Sequence, residues 1–544
     1  MRNLIQSALP AACALLCSIA LPAVAQRLQV QSPDARTQVE FSLRAGGVPT
    51  YRVLYRNKVV LDDAPLGLDL GRSDTLGKAM TLQGSTTETH DSRFALPVGK
   101  TRQARDHYRQ LRVQLSDPKQ RRLTVELRAY DDGVALRYVL PDAGEVRIRN
   151  ELTGFAFPGD YACWSLNLGR FGTSHEGEYD AIAASRLRPH NLLELPLVCQ
   201  TDASGTTLAI AEANLRDYAG LYLTGREDGS LGVSAKLSPR LDDPTLAVSF
   251  DAKGRDFATP WRVIMLGDSP ASLIESNLIS ALNPPPAFDA SWVRAGKSAW
   301  DWWSGSLASG VAQPGMNTAT IQRYIDHAQQ LKLQYMLIDD GWYFGSTGDG
   351  QYNVDADIRR PVEQLDLPGL VAYARQRDVG LWLWAHWRAL DAHMDEALAW
   401  YQQLGIKGIK VDFMDRDDQQ MVDFYHRLLA KRRAQTAGGS AWRLSPDRPD
   451  PHLSQLPHAG RRARRRVQQV DHPHHRHPQS HAAVYAHVAR ADGLHTGWLP
   501  QCAPGRVQDA AHRAAGDDYA CAATGDVCGL RKPVRGGRRQ PGTI

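Results

Sequence analysis

The chain has 544 residues, more than one compact hydrophobic core accommodates, so we expect two or three domains. Its formal net charge of +5 is unevenly spread, because residues 432–544 hold seventeen Arg and one Lys against eight Asp, a net charge of +10. The preceding residues therefore carry −5, so the positive net charge of the protein is a property of this C-terminal segment, and we expect no nucleic-acid partner.

The N-terminus has the pattern of a cleaved secretory signal. Arg2 precedes an apolar run over residues 8–21, and Ala-Val-Ala at 23–25 forms a small-x-small site before Gln26. The run is too short and too interrupted by proline to be a membrane span. We expect residues 1–25 to be a signal peptide cleaved after Ala25, no membrane span, and export, most simply to a bacterial periplasm.

The cysteines of the exported chain do not predict a complete disulfide framework. Removing the leader leaves five, an odd number. Cys163 and Cys199 could pair, but both lie among apolar residues, so two buried free thiols are an equally good interpretation.

Residues 26–288 have an all-β pattern. Short alternating runs such as 38–44 and 122–128 are separated by turn signals such as Asp-Asp-Gly at 131–133. No stretch has helical periodicity over several turns. We predict an N-terminal antiparallel β-super-sandwich, the first domain of a multidomain β plus α/β protein.

Two glutamates of this domain lie in apolar segments, Glu194 and Glu212. A buried carboxylate needs a partner, which could be an arginine, a backbone amide or a cation. Calcium is a candidate because it takes oxygen ligands from scattered carboxylates. The alternative is a glutamate at a strand edge that faces water.

After the three prolines at 284–286 the pattern changes to alternating strands and helices. The predicted strands are 296–300, 335–338, 380–384 and 406–411, with amphipathic helices after them. Four strand–helix units correspond to half of an eightfold barrel. We therefore predict that residues 289–431 form the first half of a (β/α)8-type barrel.

Polar residues follow these strands: Asp301, Asp339, Asp340, His386 and Asp412. The carboxyl ends of barrel strands meet at one mouth, so these side chains should converge there. Lys410, two residues before Asp412, lies on the same side of its strand. A lysine cation keeps a neighbouring carboxylate ionised, as a nucleophile requires. The alternative is an ion pair that only holds the loops of the mouth together.

Nine of the thirteen tryptophans lie between residues 292 and 400, including Trp342 and Trp384. Flat indole faces beside carboxylates suit a sugar, whose apolar face stacks while its hydroxyls bond to charged acceptors. The alternative is that some of these indoles fill the interface between barrel and helices, which we favour for Trp382.

Three segments resemble glycoside hydrolase family 97: KSAWDWW at 297–303, LIDDGW at 337–342 and GIKVDFMDRDDQ at 408–419. The resemblance covers residues 27–431. It implies a calcium-dependent α-glucosidase or α-galactosidase with an N-terminal β-sandwich, a barrel and a C-terminal β-domain.

The resemblance also implies residue roles. Asp412 matches the nucleophile of retaining members, which need a second carboxyl group about 5–5.5 Å away. In the family that group is a glutamate from the second half of the barrel. Glu194 matches a calcium ligand of the sandwich domain. Substrate, an α-galactoside, α-glucoside or oligosaccharide, is expected to contact Asp301, Asp339, Asp340, Trp342, Trp384, His386 and Lys410.

Residues 432–544 depart from the family. They contain no Glu, no Phe and no strand–helix alternation, and their Arg and His runs cannot bury a core. Our hypothesis is a shifted reading frame of GC-rich coding DNA, in which case four barrel strands and the acid/base glutamate would be missing. Sequencing the gene across the codons for residues 425–440 tests this hypothesis.

Other interpretations of this segment remain open. It could be an arm that binds nucleic acid or another acidic surface. A transition metal could bind its histidines, His472, His474, His475 and His477. For the whole chain, the alternative to an active glycosidase is a catalytically inactive truncated relative with residual carbohydrate binding.

Overall fold

The structure is a computed structural model that describes residues 27–96, 99–202, 205–285 and 294–436. The predicted leader and the predicted boundary at residue 288 lie outside these residues. So does the C-terminal segment from residue 437 on, with its histidines. The described residues belong to one compact unit. We call residues 27–285 the β region and residues 294–436 the α/β region.

The described part of the β region contains twenty strands, two short α-helices and a 3₁₀ helix at Ala184–Arg186. The first ten strands are β1 (Leu28–Gln31), β2 (Thr37–Arg44), β3 (Val48–Tyr55), β4 (Lys58–Pro65), β5 (Leu68–Gly71), β6 (Asp74–Leu76), β7 (Thr81–Ala95), β8 (Gln103–Ser116), β9 (Arg122–Tyr130) and β10 (Gly133–Ile148). The next ten are β11 (Asn150–Glu151), β12 (Gly154–Ala156), β13 (Ala162–Ser165), β14 (Asp180–Ala183), β15 (Leu197–Gln200), β16 (Thr207–Ala213), β17 (Leu221–Gly225), β18 (Gly232–Leu237), β19 (Val248–Ala258) and β20 (Trp261–Gly267). Helices α1 (Pro270–Glu275) and α2 (Leu278–Ala281) follow β20.

These strands form two large antiparallel sheets and one small one. The first has the order β1-β2-β3-β4-β12-β18-β17, and the second has the order β14-β13-β15-β16-β20-β10-β9-β8-β7 with β19 paired to β10. The small sheet is β11-β5-β6. Alternate residues of both large sheets, such as Phe41 of β2 and Val125 of β9, are buried in one shared core. The all-β pattern read from the sequence matches this architecture.

Cys163 and Cys199 lie directly opposite each other on the paired strands β13 and β15, and they form a disulfide bond. Both are buried. The sequence left open a disulfide bond or two free thiols, and the structure has the disulfide bond.

The α/β region contains four parallel strands in the order β21-β22-β25-β26. In chain order its elements are β21 (Ser298–Trp300), α3 (Thr318–Gln330), β22 (Tyr335–Ile338), β23 (Tyr343–Phe344), β24 (Asp357–Pro361), α4 (Leu367–Arg375), β25 (Gly380–His386), α5 (Trp387–Ala392), α6 (Met394–Leu404), β26 (Gly408–Asp412) and α7 (Gln419–Thr436). Helix α7 extends five residues into the segment that the sequence assigned to the tail.

The helices of this region cover one face of the parallel sheet. In α3, Asn317 caps the first turn by accepting a hydrogen bond from the Thr320 backbone N–H, and Ile321 and Ile325 are fully buried. They pack in one core with residues of alternate strand positions, such as Leu383 and Val411. The intervening positions, including Lys410 and Asp412, point to the other face.

None of the helices among the described residues is both long and apolar enough to cross a membrane.

Candidate active site

The polar residues named from the sequence lie at the carboxyl ends of the four parallel strands. Asp301 directly follows β21, and Asp339 and Asp340 follow β22. His386 ends β25 and is the direct partner of Asp412, the last residue of β26. Parallel register therefore brings these side chains to one edge of the sheet.

Asp412 is fully buried and surrounded by donors. Its Oδ2 lies 3.3 Å from Lys410 Nζ and accepts a hydrogen bond of 3.1 Å from Trp384 Nε1. Its Oδ1 accepts one of 2.9 Å from the Phe413 backbone N–H. These donors fix the orientation of the carboxylate.

Lys410 joins two carboxylates. Its Nζ lies 2.9 Å from Asp339 Oδ2, and the side chain is 2% exposed. The ammonium also lies 4.4 Å from the centre of the Trp300 ring, whose indole N–H donates to the same Asp339 oxygen. Lys410 and Asp412 thus lie on the same side of β26, as the strand period predicts.

Asp301 supports this pair from the neighbouring strand. Its Oδ1 accepts a hydrogen bond of 3.0 Å from the Asp339 backbone N–H, and its Oδ2 accepts one of 2.8 Å from Ser306 Oγ. Burial, together with the negative charge of Asp339, raises the pKa of Asp301 to about 6. Asp301 is therefore the site carboxyl that takes up a proton as the pH falls toward 6.

Asp340 holds a loop in the structure. One of its oxygens accepts hydrogen bonds from the Gly341 N–H (2.9 Å) and from Ser346 Oγ, and the other accepts one from the Gly350 N–H at 2.8 Å. Burial raises its pKa above the usual value. Both oxygens of this expected substrate ligand thus bind the loop that follows β22.

Trp342, expected to contact substrate, is instead completely buried. The backbone at Gly341 has φ +104°, and the chain there turns the indole back into the core, where it lies 6.1 Å from the Tyr401 ring. Its N–H donates a 2.7 Å hydrogen bond to the Trp384 carbonyl. Trp342 supports the end of β25, and its expected role as a sugar platform is not supported.

Trp384 and Trp382 also differ from flat sugar platforms. Trp384 is 1% exposed and uses its N–H to bind Asp412. Trp382 is buried, lies 5.1 Å from the Tyr335 ring and packs over Gly408 of the adjacent strand. It points to the same side of β25 as Trp384, so our expectation that it packs toward the helices was wrong.

His386 lies between two aromatic rings, with Tyr352 at 5.1 Å and Phe413 at 5.8 Å between ring centres. Burial and the charge of Arg388 lower its pKa to about 4, so the imidazole is neutral at neutral pH. Nδ1 accepts a 3.2 Å hydrogen bond from the Arg388 N–H, which leaves Nε2–H as a donor.

Sequence reasoning missed the two rings that enclose His386. The position of Phe413, directly after the predicted nucleophile, could have indicated that its ring lies at the site. No sequence feature indicated Tyr352, since it reaches the site through a loop that carries no motif.

The two glutamates flagged in the β region have protein partners. Glu194 is 2% exposed and pairs with His175 Nδ1. Glu212 accepts hydrogen bonds from Arg262 Nη1 at 2.8 Å and from the Leu221 N–H at 3.0 Å. In the part of the chain that the structure describes, no group of three acidic, histidine or cysteine side chains could hold a metal ion. These residues alone do not fit the calcium site that the resemblance implies.

Comparison with known proteins places both regions in one family. The family model described as "Glycosyl-hydrolase 97 N-terminal" matches residues 30–285, and the model "Glycoside hydrolase 97" matches residues 302–436. The chain is 30% identical to a retaining alpha-galactosidase of Bacteroides thetaiotaomicron over 438 residues, 76% of this chain and 63% of that protein. It is 29% identical to a probable retaining alpha-galactosidase of Streptomyces bingchenggensis, over 73% of this chain and 58% of that protein. The chain thus spans less than two thirds of the length of these relatives.

A solved structure shares the fold. It is a glycoside hydrolase family 97 enzyme from Pseudoalteromonas sp. strain K8 in complex with acarbose, with a TM-score of 0.67 and 23% identity. The match covers 75% of this chain and 65% of that one.

Proposed function

The chain belongs to glycoside hydrolase family 97, and from this premise we propose that it cleaves α-glycosidic bonds with retention of configuration, using Asp412 as the nucleophile. The observation that carries the proposal is the position of Asp412. This carboxylate ends a parallel strand and is held by Lys410, by the Trp384 indole N–H and by the Phe413 backbone N–H. A carboxylate fixed in this way is preorganised for attack.

The proposed reaction has two steps. An oxygen of Asp412 forms a bond to the anomeric carbon while the bond from that carbon to the leaving oxygen breaks. Water then attacks the same carbon, and Asp412 departs as a carboxylate. In the first step the leaving oxygen takes a proton from a second carboxyl group, and in the second step that group, now a carboxylate, takes a proton from the attacking water. The resemblance assigns this role to a glutamate of the second half of the barrel. We assign this role to none of the described residues.

The other site residues supply what sugar hydroxyls need. Neutral His386 offers Nε2–H as a donor, while Asp339 and Asp301 offer carboxylate oxygens. Lys410 balances part of the negative charge that these aspartates and Asp412 bring to the site. We propose an α-galactoside as substrate ahead of an α-glucoside, because both relatives described above are named retaining alpha-galactosidases.

The finer architecture, the calcium ion and the location are part of the same proposal. We propose that the β region is the family's β-sandwich and that the α/β region is the first half of its barrel, supported by the four parallel strands and their helices. Calcium binding through Glu194 rests on the resemblance alone, and metal analysis of the purified protein tests it. Periplasmic export rests on the pattern of residues 1–25.

The decisive experiment uses a substrate that needs no general acid. In 5-fluoro-α-galactosyl fluoride the fluoride ion leaves without protonation, so labelling reports the nucleophile alone. We expect intact-mass analysis to show one added fluorogalactosyl group and peptide mapping to place it on Asp412. The 5-fluoro-α-glucosyl analogue should label more slowly.

Two variants complete this test. Asp412→Asn should give no adduct, while Asp355→Asn, at an exposed aspartate of the loop after β23, should label like the wild type. Labelling at another residue, or sugar binding without any adduct, would contradict the proposal. The second result would instead identify a non-catalytic carbohydrate-binding relative.

A further inference from the structure

The segment that directly follows Asp412 has an unfavourable backbone. Phe413 has φ +64° and Asp415 has φ +47°, and neither is glycine. Residues with side chains adopt this left-handed conformation at a cost, and they keep it only where the surrounding structure holds them. Contacts must therefore fix the chain immediately after the nucleophile.

Several of those contacts come from the β region. The Thr173 backbone N–H donates a 3.0 Å hydrogen bond to the Asp415 carbonyl, and the Gly220 N–H donates one of 2.9 Å to the Asp417 carbonyl. The Tyr222 hydroxyl donates a 2.7 Å hydrogen bond to Asp417 Oδ1. Tyr222 is fully buried and Asp417 is 4% exposed, so this bond to a carboxylate is shielded from water.

The far end of the segment is attached to the same region. Gln419, the first residue of α7, accepts hydrogen bonds from Arg240 Nη1 at 2.6 Å and from the Ser249 N–H at 2.9 Å, and it donates to the Asp217 and Ser249 carbonyls. Val422, one turn further on, packs in the core of the β region. Residues 413–418 thus connect the nucleophile to a fixed support.

We propose that Tyr222 is a positioning residue for Asp412: by holding Asp417, it keeps the strained segment, and with it the nucleophile, in the reactive orientation. This inference rests on the proposed function. It assigns to the β region a direct part in the geometry of the reaction. A misplacement of about 1 Å at a reacting group can lower a rate by about 100-fold, so a distant support can matter.

The test compares Tyr222→Phe with the wild type, using the full chain. The variant removes the hydroxyl and keeps the ring, which packs edge-on at 5.0 Å from Phe171. We expect the rate constant for labelling of Asp412 by 5-fluoro-α-galactosyl fluoride to fall by about tenfold or more. In this reaction an Asp412 oxygen bonds to the anomeric carbon as fluoride leaves. The concentration that half-saturates labelling should change by less than about threefold, since a positioning residue affects the chemical step more than binding.

A matched control separates this effect from a general loss of packing. Tyr161 is also a buried tyrosine of the β region, and its hydroxyl donates a 2.9 Å hydrogen bond to the Val60 carbonyl. Tyr161→Phe removes the same kind of group and should leave the labelling rate unchanged. Equal labelling rates for Tyr222→Phe and the wild type would overturn the inference. So would equal losses for the two tyrosine variants.

Hydrogen exchange provides a second readout that does not depend on activity. The amides of residues 413–418 should exchange faster in Tyr222→Phe than in the wild type, while those of β26 stay protected. If the wild type is not labelled, the proposed function fails. The positioning role is judged separately, because an unchanged rate of hydrogen exchange at residues 413–418 in Tyr222→Phe would overturn it. If Tyr222→Phe does not fold, Asp417→Asn removes the charge from the same hydrogen bond and is tested in the same way.

Discussion

Lys410 is the residue on which the electrostatics of the site depend most. It is a buried cation between Asp339 and Asp412, whose side chains are 4% and 0% exposed. Removing one partner of a buried ion pair leaves an uncompensated charge in a medium that solvates it poorly. The two aspartates therefore need Lys410 for the stability of the fold as well as for any reaction.

We expect Lys410→Met to lower the free energy of unfolding by about 3–5 kcal/mol. Urea denaturation measures the change. Lys407→Met, at an exposed lysine before the same strand, should shift it by less than about 0.5 kcal/mol. Equal stability of the two variants would mean that the buried pairs contribute nothing.

At this scale the sequence predicted some roles well and others poorly. The two-residue period of side chains along a strand was sufficient to place Lys410 and Asp412 on the same side of β26. Trp342 was misassigned because one glycine with positive φ, Gly341, redirects the following side chain into the core. Composition and spacing do not encode that rotation.

Among the elements, the loop between β22 and β24 contacts Phe413, the residue after Asp412. Asp340 anchors it, and its Gly350 lies so close to the Phe413 ring that any side chain there would overlap the ring. Gly348, two residues earlier, has a similar φ (+73° against +77°), but no atom lies within 4 Å of the position a Cβ would occupy. The two glycines thus differ in surroundings and not in backbone conformation.

This difference gives a matched pair of variants. Gly348→Ala should lose about 1–2 kcal/mol of stability, because it puts a Cβ on a left-handed residue. Gly350→Ala should lose more, because its Cβ would also overlap the Phe413 ring. Only Gly350→Ala should also displace Phe413, and we expect it to slow the labelling of Asp412 at least fivefold relative to Gly348→Ala. Identical labelling rates would show that the ring can move without affecting the nucleophile.

The elements themselves were largely predictable. Strand β22 and the apolar face of α6 follow directly from alternation and helical spacing, and only strand ends shifted by one or two residues. The hairpin of β23 and β24 was not predicted, because its strands are short and the segment between them is rich in turn residues. Helix α5 was missed because its cap is His386, a residue that the sequence suggested only as a ligand.

Across the whole molecule, the junction of the two regions contains an ionisable group of its own. Asp423 of α7 is half-buried, and desolvation together with the charges of Asp217 and Asp418 raises its pKa to about 7, against the opposing effect of Arg240 and Arg427. An unfolded aspartate titrates near pH 3.9. The folded protein therefore keeps a proton that the unfolded chain loses, and the contribution of Asp423 to stability declines as the pH rises from about 4 to about 7.

We expect Asp423→Asn to raise the unfolding temperature at pH 8, since the amide avoids the buried charge. At pH 5 the gain should shrink by more than half. Thermal unfolding at the two pH values measures this, with Asp355→Asn at an exposed position as the control. An equal gain at both values would mean that Asp423 is already ionised at pH 5.

Val422 shows how the two regions depend on each other. Helix α7, which begins seven residues after Asp412, inserts an apolar side chain into the interior of the neighbouring region. Separating the two regions would expose the apolar Val422 side chain on one fragment and leave a cavity in the core of the other. Protein engineers who wish to transplant β26 and Asp412 should therefore move the sheets of the β region with them.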